Sequence, residues 1–589
     1  MSASGPVLSS SPVRVRMRPV SDGQRAALVA AGMHPVLARV YAARGVHSAN
    51  ELEPTLAGLL PPDSMKGLAQ AASLLADAIE AEARLLIVAD YDADGATACA
   101  VAMLGLRSMG ARVDFLVPDR ARHGYGLTPG IVQEAALLEP DLLITVDNGI
   151  ASVDGVEEAN SLGLPVLVTD HHLPGDALPA AEAIVNPNQP DCGFPSKALP
   201  GVGVMFYVLL ALRAELRRRG MFRSKDNPHA EGPDGQPLLA EPRLTDLLDL
   251  VALGTVADVV PLDANNRLLV AEGLKRMRAG RARPGINALF EVARRDVQRA
   301  STRDLGFSIG PRLNAAGRLT DMRLGILCLI TPDDAQARTL AAELDSLNTT
   351  RREIEDDVRE TALARLGNVD VQAGCTVVAY DEEWHPGVIG IVAARLRDRF
   401  HRPAFVLAPG DQGTLRGSGR SIAGLHLRDC LDRVAKQHPG LILKFGGHAA
   451  AAGLTLAGDG LAQFESAFEA AAAAMLSPDD LQETLWADGT LGAADLELTL
   501  AEALDTGIWG KDFPEPQFHG VFGVHDQRIV GERHLKLRLD LGGQMVDAIL
   551  FGQVGPLPER INALYQLAVN EWNGVRRTQV SVRHWTPAV

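Results

Sequence analysis

The sequence predicts an α/β protein: a parallel sheet, then a long connecting helix, a second and smaller α/β region, and a C-terminal β-barrel. Three observations carry that prediction. Apolar runs end near Asp90, Asp119, Asp147 and Asp170, about 23 to 29 residues apart, which suits βαβ units with right-handed crossovers. Residues 333–366 contain almost no helix breakers. Near the end, Leu535, Leu537, Leu539 and Leu541 alternate with Lys536, Arg538 and Asp540, the two-residue period of a half-buried strand.

Taken in order, the first fifteen or so residues are Ser/Pro-rich and are expected to be disordered. They carry no apolar core of the kind a signal peptide needs. Residues 1–50 are assigned to this tail and a helical lead-in, and 51–332 to the parallel-sheet domain. There a helix over 96–109 follows the first acidic strand end. The apolar run 202–212 is too short to span a bilayer. Residues 223–243, rich in Pro, Gly and charge, predict a surface insertion. The run 247–260 is either a strand or a buried helix and carries Asp258.

Leu340, Leu344, Leu347, Ile354, Val358 and Ala362 form a 3-4 apolar stripe. It predicts one helix over 333–366, roughly 50 Å long at 1.5 Å per residue, and 333–370 is assigned as the connecting segment. Residues 371–476 hold the second α/β domain, with a strand over 375–379, a helix opening at Gly387–Ala393 and an Ala-rich helix near Ala470. Residues 477–589 hold the barrel. Strands near Phe522, Leu537, Ile549, Leu567 and Val580, with the turn signal Asn573-Gly574, predict five strands, as in an OB-fold.

The chain is 47% hydrophobic and 22% charged over 589 residues, an ordinary soluble composition. Its five cysteines are isolated. That argues against a disulfide framework or structural zinc and for a reducing cytoplasm. A net charge of −16 argues weakly against purely electrostatic nucleic-acid binding. Local contrast exists: Arg is dense over 281–323 and 395–433.

The chemistry concentrates at the strand ends. Asp90, Asp92 and Asp94 stand at i, i+2 and i+4. In extended chain their carboxylates would share one side and repel one another without a cation. Asp94 could instead cap the following helix. Asp147, before Asn148-Gly149, taken alone reads equally well as a turn. His171-His172 follow Asp170 behind a third apolar run; one reads as a ligand and the other as a phosphate-facing donor. Asp258 sits in an apolar run and needs a partner, a metal or a backbone cap. An oxygen-rich set with one or two His favours Mn²⁺ or Mg²⁺ over Zn²⁺. Two such ions suit in-line attack on a phosphate ester.

Three Gly-rich segments read as anion grips. Lys444 to Gly453 places Gly446, Gly447 and His448 before an Ala-rich run that predicts a helix start. Arg416-Gly417-Ser418-Gly419-Arg420-Ser421 offers two guanidinium groups on a flexible backbone. The third is Gly310-Pro311-Arg312-Leu313-Asn314-Ala315-Ala316-Gly317-Arg318. There is no P-loop signature, no H-E-x-x-H and no Ser or Cys triad.

Asp170-His171-His172 with the Asp90–Asp94 cluster and Asp147 resembles the DHH phosphoesterase superfamily. The Gly446–Gly453 segment resembles its companion DHHA1 domain. Asp119-Arg120 with His123-Gly124-Tyr125-Gly126, the 254–262 and 310–318 runs, Trp384-His385-Pro386-Gly387-Val388-Ile389-Gly390 and the 417–421 run narrow the resemblance to the bacterial RecJ single-stranded-DNA exonucleases. It covers roughly residues 20 to 589. It implies a DHH domain, a DHHA1 domain and an OB-fold, with 5′→3′ digestion of single-stranded DNA to 5′-mononucleotides in recombination and repair. It also implies a two-ion Mn²⁺ or Mg²⁺ site ligated by Asp90, Asp92, Asp94, Asp147, His171 and Asp258. Asp92, His171 and His172 are then catalytic, with His172 on the scissile phosphate or leaving oxygen. Arg120, Tyr125, Arg312, Asn314, Arg318, Ser418, Arg420, Ser421, Gly446, Gly447 and His448 would hold DNA phosphates. Expected partners are a single-stranded-DNA-binding protein and a RecQ-type helicase, with the chain a monomer and off the membrane. Ala89 departs from a frequent family Gly, and the 223–243 insertion has no role the resemblance supplies.

Two other readings compete. A DHH-type phosphodiesterase acting on oligoribonucleotides or cyclic dinucleotides would be compact, without the barrel and long helix. A non-catalytic DNA-binding scaffold would lack metal ligands, and every ligand position here is filled.

Overall fold

Runs of Leu, Ile and Val that end in acid form a sheet buried on both faces, as parallel sheets require. The computed structural model describes residues 13–52, 55–119, 123–223, 238–366, 374–572 and 574–588. The fold divides into two units. One comprises Pro19–Asn348, Leu491–Pro516 and Gly520–Val589; the other comprises Met1–Arg18, Thr349–Thr490 and Gln517–His519.

The larger unit is built on five parallel strands in the spatial order Arg112–Leu116, Arg84–Ala89, Leu142–Val146, Val166–Thr169, Ala183–Val185. By chain order this is 2-1-3-4-5. The order reverses between Arg84–Ala89 and Leu142–Val146, and a crevice opens at such a switch point beyond the carboxyl ends. Asp90 and Asp147 stand at those two ends.

The helix Ala93–Ser108 leaves the first strand and is buried along almost its whole surface, which its Ala-rich, all-round apolar sequence permits. It packs against Gly201–Arg218 and Leu248–Ala257. The 247–260 run is therefore helical, with Asp258 as its C-cap. Gly95 is required for the close start of the first helix. A Cβ there would lie 2.5 Å from the Asp90 carbonyl oxygen.

Apart from the first two residues of its leading strand, the closed barrel belongs to the same unit. Its order is Phe518–Val530, His534–Leu541, Gln544–Leu550, Val575–Pro587, Arg560–Trp572. The five predicted strands are all present. The segment before the barrel is held by stacked rings: Tyr41 on Trp509 at 5.4 Å and Trp509 on Phe513 at 5.6 Å, with Arg267 4.3 Å over Phe513.

The smaller unit contains a mixed sheet ordered Ile442–Gly447, Ala451–Leu456, Leu415–Arg420, Ala404–Pro409, Val377–Tyr380. Two expectations are corrected here. The Gly446-Gly447-His448 segment starts no helix; it turns an antiparallel hairpin, with the His448 N–H on the Ala451 carbonyl at 2.8 Å. Ala451 to Leu456 is drawn into a strand because Leu415–Arg420 pairs along its other edge, so tertiary pairing overrides alanine's helix propensity. The 416–421 run is not flexible either: most of it is a strand paired on both sides.

A third correction concerns the N-terminus. Arg14–Met17 forms a parallel pair with Thr484–Ala487, and Arg18 meets buried Asp488 at 3.2 Å, so the end of the expected disordered stretch is a paired strand. Residues 1–12 and most of the 223–243 insertion lie outside the described residues. The helix Asp334–Leu366 runs 33 residues. Among the described residues no helix is long and apolar enough to cross a membrane.

The Gly95 contact yields a stability test. Gly95→Ala should destabilise the protein by about 1–3 kcal/mol, the usual cost of overpacking. Thermal unfolding measures it, and an unchanged midpoint would show that the helix start can shift without cost.

Candidate metal centre

Asp90 extends the first strand by one residue, its N–H reaching the Val146 carbonyl at 3.2 Å. Asp92 then turns the chain: its Oδ1 accepts from the Gly95 N–H at 3.0 Å. The helix N-cap is thus Asp92, not Asp94, and the three acids do not stay in an extended row. Asp94 falls in the first helical turn, fully buried. Its Oδ2 accepts from the Gly201 N–H at 2.7 Å and its Oδ1 from the Val202 N–H at 3.0 Å. Those donors are unpaired amides of another helix start, where negative charge is favoured.

Asp147 ends its strand in the left-handed region, φ 63°, with its N–H on the Thr169 carbonyl at 3.0 Å. His171 reaches over from the next strand end. Its Nε2 lies 3.1 Å from Asp147 Oδ1, 3.6 Å from Asp258 Oδ2 and 3.9 Å from Asp94 Oδ2. None of these contacts is a hydrogen bond. His171 Nε2 and Asp147 Oδ1 are both buried without a hydrogen-bond partner, an expensive arrangement for polar atoms.

The electrostatics agree. Burial pushes His171 down to about 3, so the imidazole is neutral at pH 7 with a lone pair to give. Burial and then the neighbouring acids hold Asp94 and Asp147 well above the usual carboxylate range. Burial and Asp92 push Asp258 up to about 7. Three sets bring ligand atoms within 4.8 Å of one another: Asp94, His171 and Asp258; Asp90, Asp92 and Asp147; Asp147, His171 and His172. Crowded carboxylates with a neutral imidazole fit hard divalent ions such as Mn²⁺ or Mg²⁺.

His172 is held differently. Its Nδ1 lies 2.8 Å from Asp170 Oδ1, and Asp170 Oδ2 accepts from the Ile150 N–H at 2.9 Å. Burial raises the Asp170 pKa, but the hydrogen bond and charge of His172 and the Ile150 amide outweigh it, so it is lowered. Burial likewise opposes the charge on His172, but Asp170, Asp258 and Asp90 push it up to about 9. The Tyr125 hydroxyl donates to the Asp147 carbonyl at 3.2 Å and lies 3.1 Å from His172 Nδ1.

Asn314 Oδ1 accepts from the Ala93 N–H at 2.8 Å, tying the helix Gly310–Leu319 to the acidic loop. Arg318 is half-buried on that helix. Arg312 is buried and paired with Asp345 at 2.8 Å. Arg120 lies outside the described residues.

In the smaller unit, Ser418 and Arg420 share one strand, with Arg420 Nη1 3.2 Å from Ser418 Oγ. Ser418 pairs with Gly453, which pairs with Gly446, so two glycines leave the row beside Ser418 bare. Gly447 takes φ 145°, and a Cβ there would lie 2.4 Å from the Ala451 carbonyl oxygen. His448 is exposed at the turn. Ser421 is buried, its hydroxyl donating to the Leu425 carbonyl at 2.8 Å.

Sequence reading gave no role to three residues that fix the His pair. Asp170 anchors His172. Asn186 and Asn188 donate to the His172 and His171 carbonyls at 2.9 and 2.6 Å. The available signal was Asn-Pro-Asn directly after the short strand Ala183–Val185.

A parallel sheet with this acid-and-His edge, a second α/β domain and a closed barrel defines a DHH-type phosphoesterase. Residues 84–255 match the DHH family, N-terminal domain, 373–476 the DHHA1 domain and 487–584 the RecJ OB domain. The single-stranded-DNA-specific exonuclease RecJ of Escherichia coli K12 is 48% identical over 587 residues, covering 98% of this chain and 99% of that protein. The Bacillus subtilis protein of the same name is 34% identical, covering 96% of this chain and 70% of that protein. The crystal structure of RecJ from Thermus thermophilus in complex with Mn²⁺ superposes with a TM-score of 0.80 at 32% identity, covering 98% of this chain and 80% of that one. Its Mg²⁺ complex gives 0.75 at 30%, with 98% and 79% covered. The chain belongs to the RecJ family.

The raised carboxylates make a pH test. Protons and a divalent ion compete for the same oxygens, so apparent Mn²⁺ affinity should rise with pH until the ligands are ionised. With Asp258 at about 7 and Asp94 and Asp147 also raised, affinity should strengthen at least about tenfold per unit from about pH 5 to 7. His171, already neutral there, adds no competition. Titration calorimetry in buffers of different ionisation enthalpy checks it, and an affinity independent of pH would exclude these carboxylates as ligands.

Proposed function

We propose that this protein is a metal-dependent exonuclease that degrades single-stranded DNA 5′→3′ to 5′-mononucleotides in DNA recombination and repair. The observation that carries the reading is the convergence of Asp90, Asp92, Asp94, Asp147, His171 and Asp258, with buried unpartnered atoms on Asp147 and His171. These six would hold Mn²⁺ or Mg²⁺. Bound there, the ions supply an activated water and neutralise charge on the phosphate oxygens.

The chain's own residues do the rest. Asp170 holds His172 charged and oriented, so that His172 donates a proton or hydrogen bond to the scissile phosphate or leaving oxygen. Tyr125 limits the swing of that ring. Ser418, Arg420, Gly446, Gly447 and His448 form the grip for the 5′ end, and the barrel guides the strand. Asn314 steadies the Asp92 loop, and Arg318 lies on the same helix. The domains supporting this reading are those assigned from sequence, with the chain acting as a cytoplasmic monomer beside a single-stranded-DNA-binding protein and a RecQ-type helicase.

Digestion of end-labelled single strands in Mn²⁺ tests the polarity. The 5′ label should leave first, as a mononucleotide. His171→Ala should lower turnover at least about 100-fold while the strand still binds. Equal attack at both ends would overturn the polarity, and full activity without divalent ions would overturn the mechanism.

Arg420→Ala tests the grip separately. It should weaken binding and reduce the slope of log affinity on log salt by about one. An unchanged slope removes Arg420 from the phosphate contacts.

A further inference from the structure

Beside the metal-centre acid Asp258, the chain holds two apolar side chains out to solvent in backbone conformations that cost free energy. Val259, the next residue, has φ 61° and is 61% exposed. A β-branched residue in the left-handed region is an outlier that persists only where its surroundings impose it. Phe307 is 75% exposed, the most exposed aromatic side chain among the described residues. It lies in a π-helical turn, Leu305–Ile309, a conformation that recurs at functional sites.

Both lie on elements that meet at the helix ending in Asp258. The π turn packs on the helix Leu248–Ala257. A Cβ on Gly306 would stand 3.4 Å from Val256 Cγ1, and one on Gly310 would stand 3.1 Å from Ala257 Cβ. The helix that continues from this turn carries Asn314, bound to the Ala93 N–H next to Asp92. Phe307 therefore stands on the element that runs to the acidic loop on one side and packs beside the Asp258 cap on the other. Among the described residues it pairs with no other ring. The barrel-side segment approaches the same place: the Leu262 N–H bonds the Lys511 carbonyl at 2.9 Å, and Lys511 is exposed.

The exposed area decides the class of ligand. A phenylalanine ring offers roughly 150–250 Å² in all. A protein interface needs about 1,000 Å² or more, far beyond one ring and one isopropyl group. One nucleobase matches, since every base presents a π-face.

We propose that Phe307, backed by Val259, is a base-stacking platform that receives one nucleobase of the strand as its phosphodiester enters the metal centre. The platform rests on the reading that this site cleaves single-stranded DNA. Stacking ignores base identity, so it positions the strand without imposing a sequence. Phe307 and Val259 are positioning residues, and they touch no reacting atom.

Steady-state kinetics on single strands, with and without abasic tetrahydrofuran residues at the 5′ end, test the proposal. Phe307→Ala should raise KM about tenfold on ordinary strands, in line with the loss of one base stack, leave Mn²⁺ affinity unchanged and abolish the wild-type preference for ordinary over abasic ends. Phe307→Trp should keep that preference. Val259→Gly relieves the left-handed strain, so it should raise the thermal midpoint while raising KM severalfold, a pair of signs that a purely structural role would not give. Phe307→Ala with wild-type KM, or with the preference for ordinary ends intact, overturns the platform. A wild type that leaves single strands undigested in Mn²⁺ strikes at the proposed function instead.

Discussion

The repulsion among five carboxylates, Asp90, Asp92, Asp94, Asp147 and Asp258, is the constraint around which the larger unit is arranged. Removed from water, each would shed its charge by taking up a proton. The raised Asp94, Asp147 and Asp258 express that tendency. Part of the cost is met by protein: two amides of a helix start on Asp94, one on Asp92. The remainder calls for cations. Close backbone approach makes the crowding possible. A Cβ on Gly201 would stand 2.5 Å from Asp147 Oδ1, and one on Gly254 would stand 3.0 Å from Asp94 Oδ1.

One residue type takes two roles here because its surroundings differ. Asp170 is as buried as Asp94, yet its pKa is lowered where that of Asp94 is raised. Amides and a charged imidazole surround Asp170, so it remains a carboxylate that orients His172. Other carboxylates surround Asp94, so it is left needing a metal. The two histidines divide in the same way. His171 faces the acids without a hydrogen bond and stays neutral, while His172 turns to Asp170 and becomes charged. A neutral and a charged imidazole thus occupy adjacent positions, with ring centres 4.4 Å apart. Pairs of groups whose environments drive their pKa values apart mark acid–base division of labour.

Much of this was legible in the sequence because it is written locally. Apolar runs ending in acid gave the parallel strands, the two-residue period gave the barrel, and the breaker-free stripe gave the long helix. What failed depended on distant pairing. Ala451–Leu456 has the composition of a helix and became a strand because Leu415–Arg420 lies alongside. Arg14–Met17 alternates like a strand, but only its distant partner Thr484–Ala487 makes it one. Asp92 displaced Asp94 as the cap because the helix begins earlier than an extended acidic row allows. The Gly-rich run around Arg312 gave no sign that the helix Gly310–Leu319 brings it to Asp345. An arginine's motif does not say whether its charge is already matched; only the folded partner does.

That last distinction settles how a chain of net charge −16 handles a polyanion. Several arginines from the dense 281–323 run are matched by acids: Arg299 by Glu571, Arg312 by Asp345 and Arg295 by Asp304. Bulk electrostatic attraction is therefore a poor account of strand binding, because net charge acts over a distance set by screening. In the proposed grip, a cation beside glycines, such as Arg420, would act at contact, where screening is weakest. Stacking surfaces add free energy that does not depend on net charge, about 1–3 kcal/mol per base. Under the proposed function an acidic protein can hold a single strand and still cleave it, because its negative charge is concentrated where divalent ions belong and strand contacts would be local rather than set by net charge.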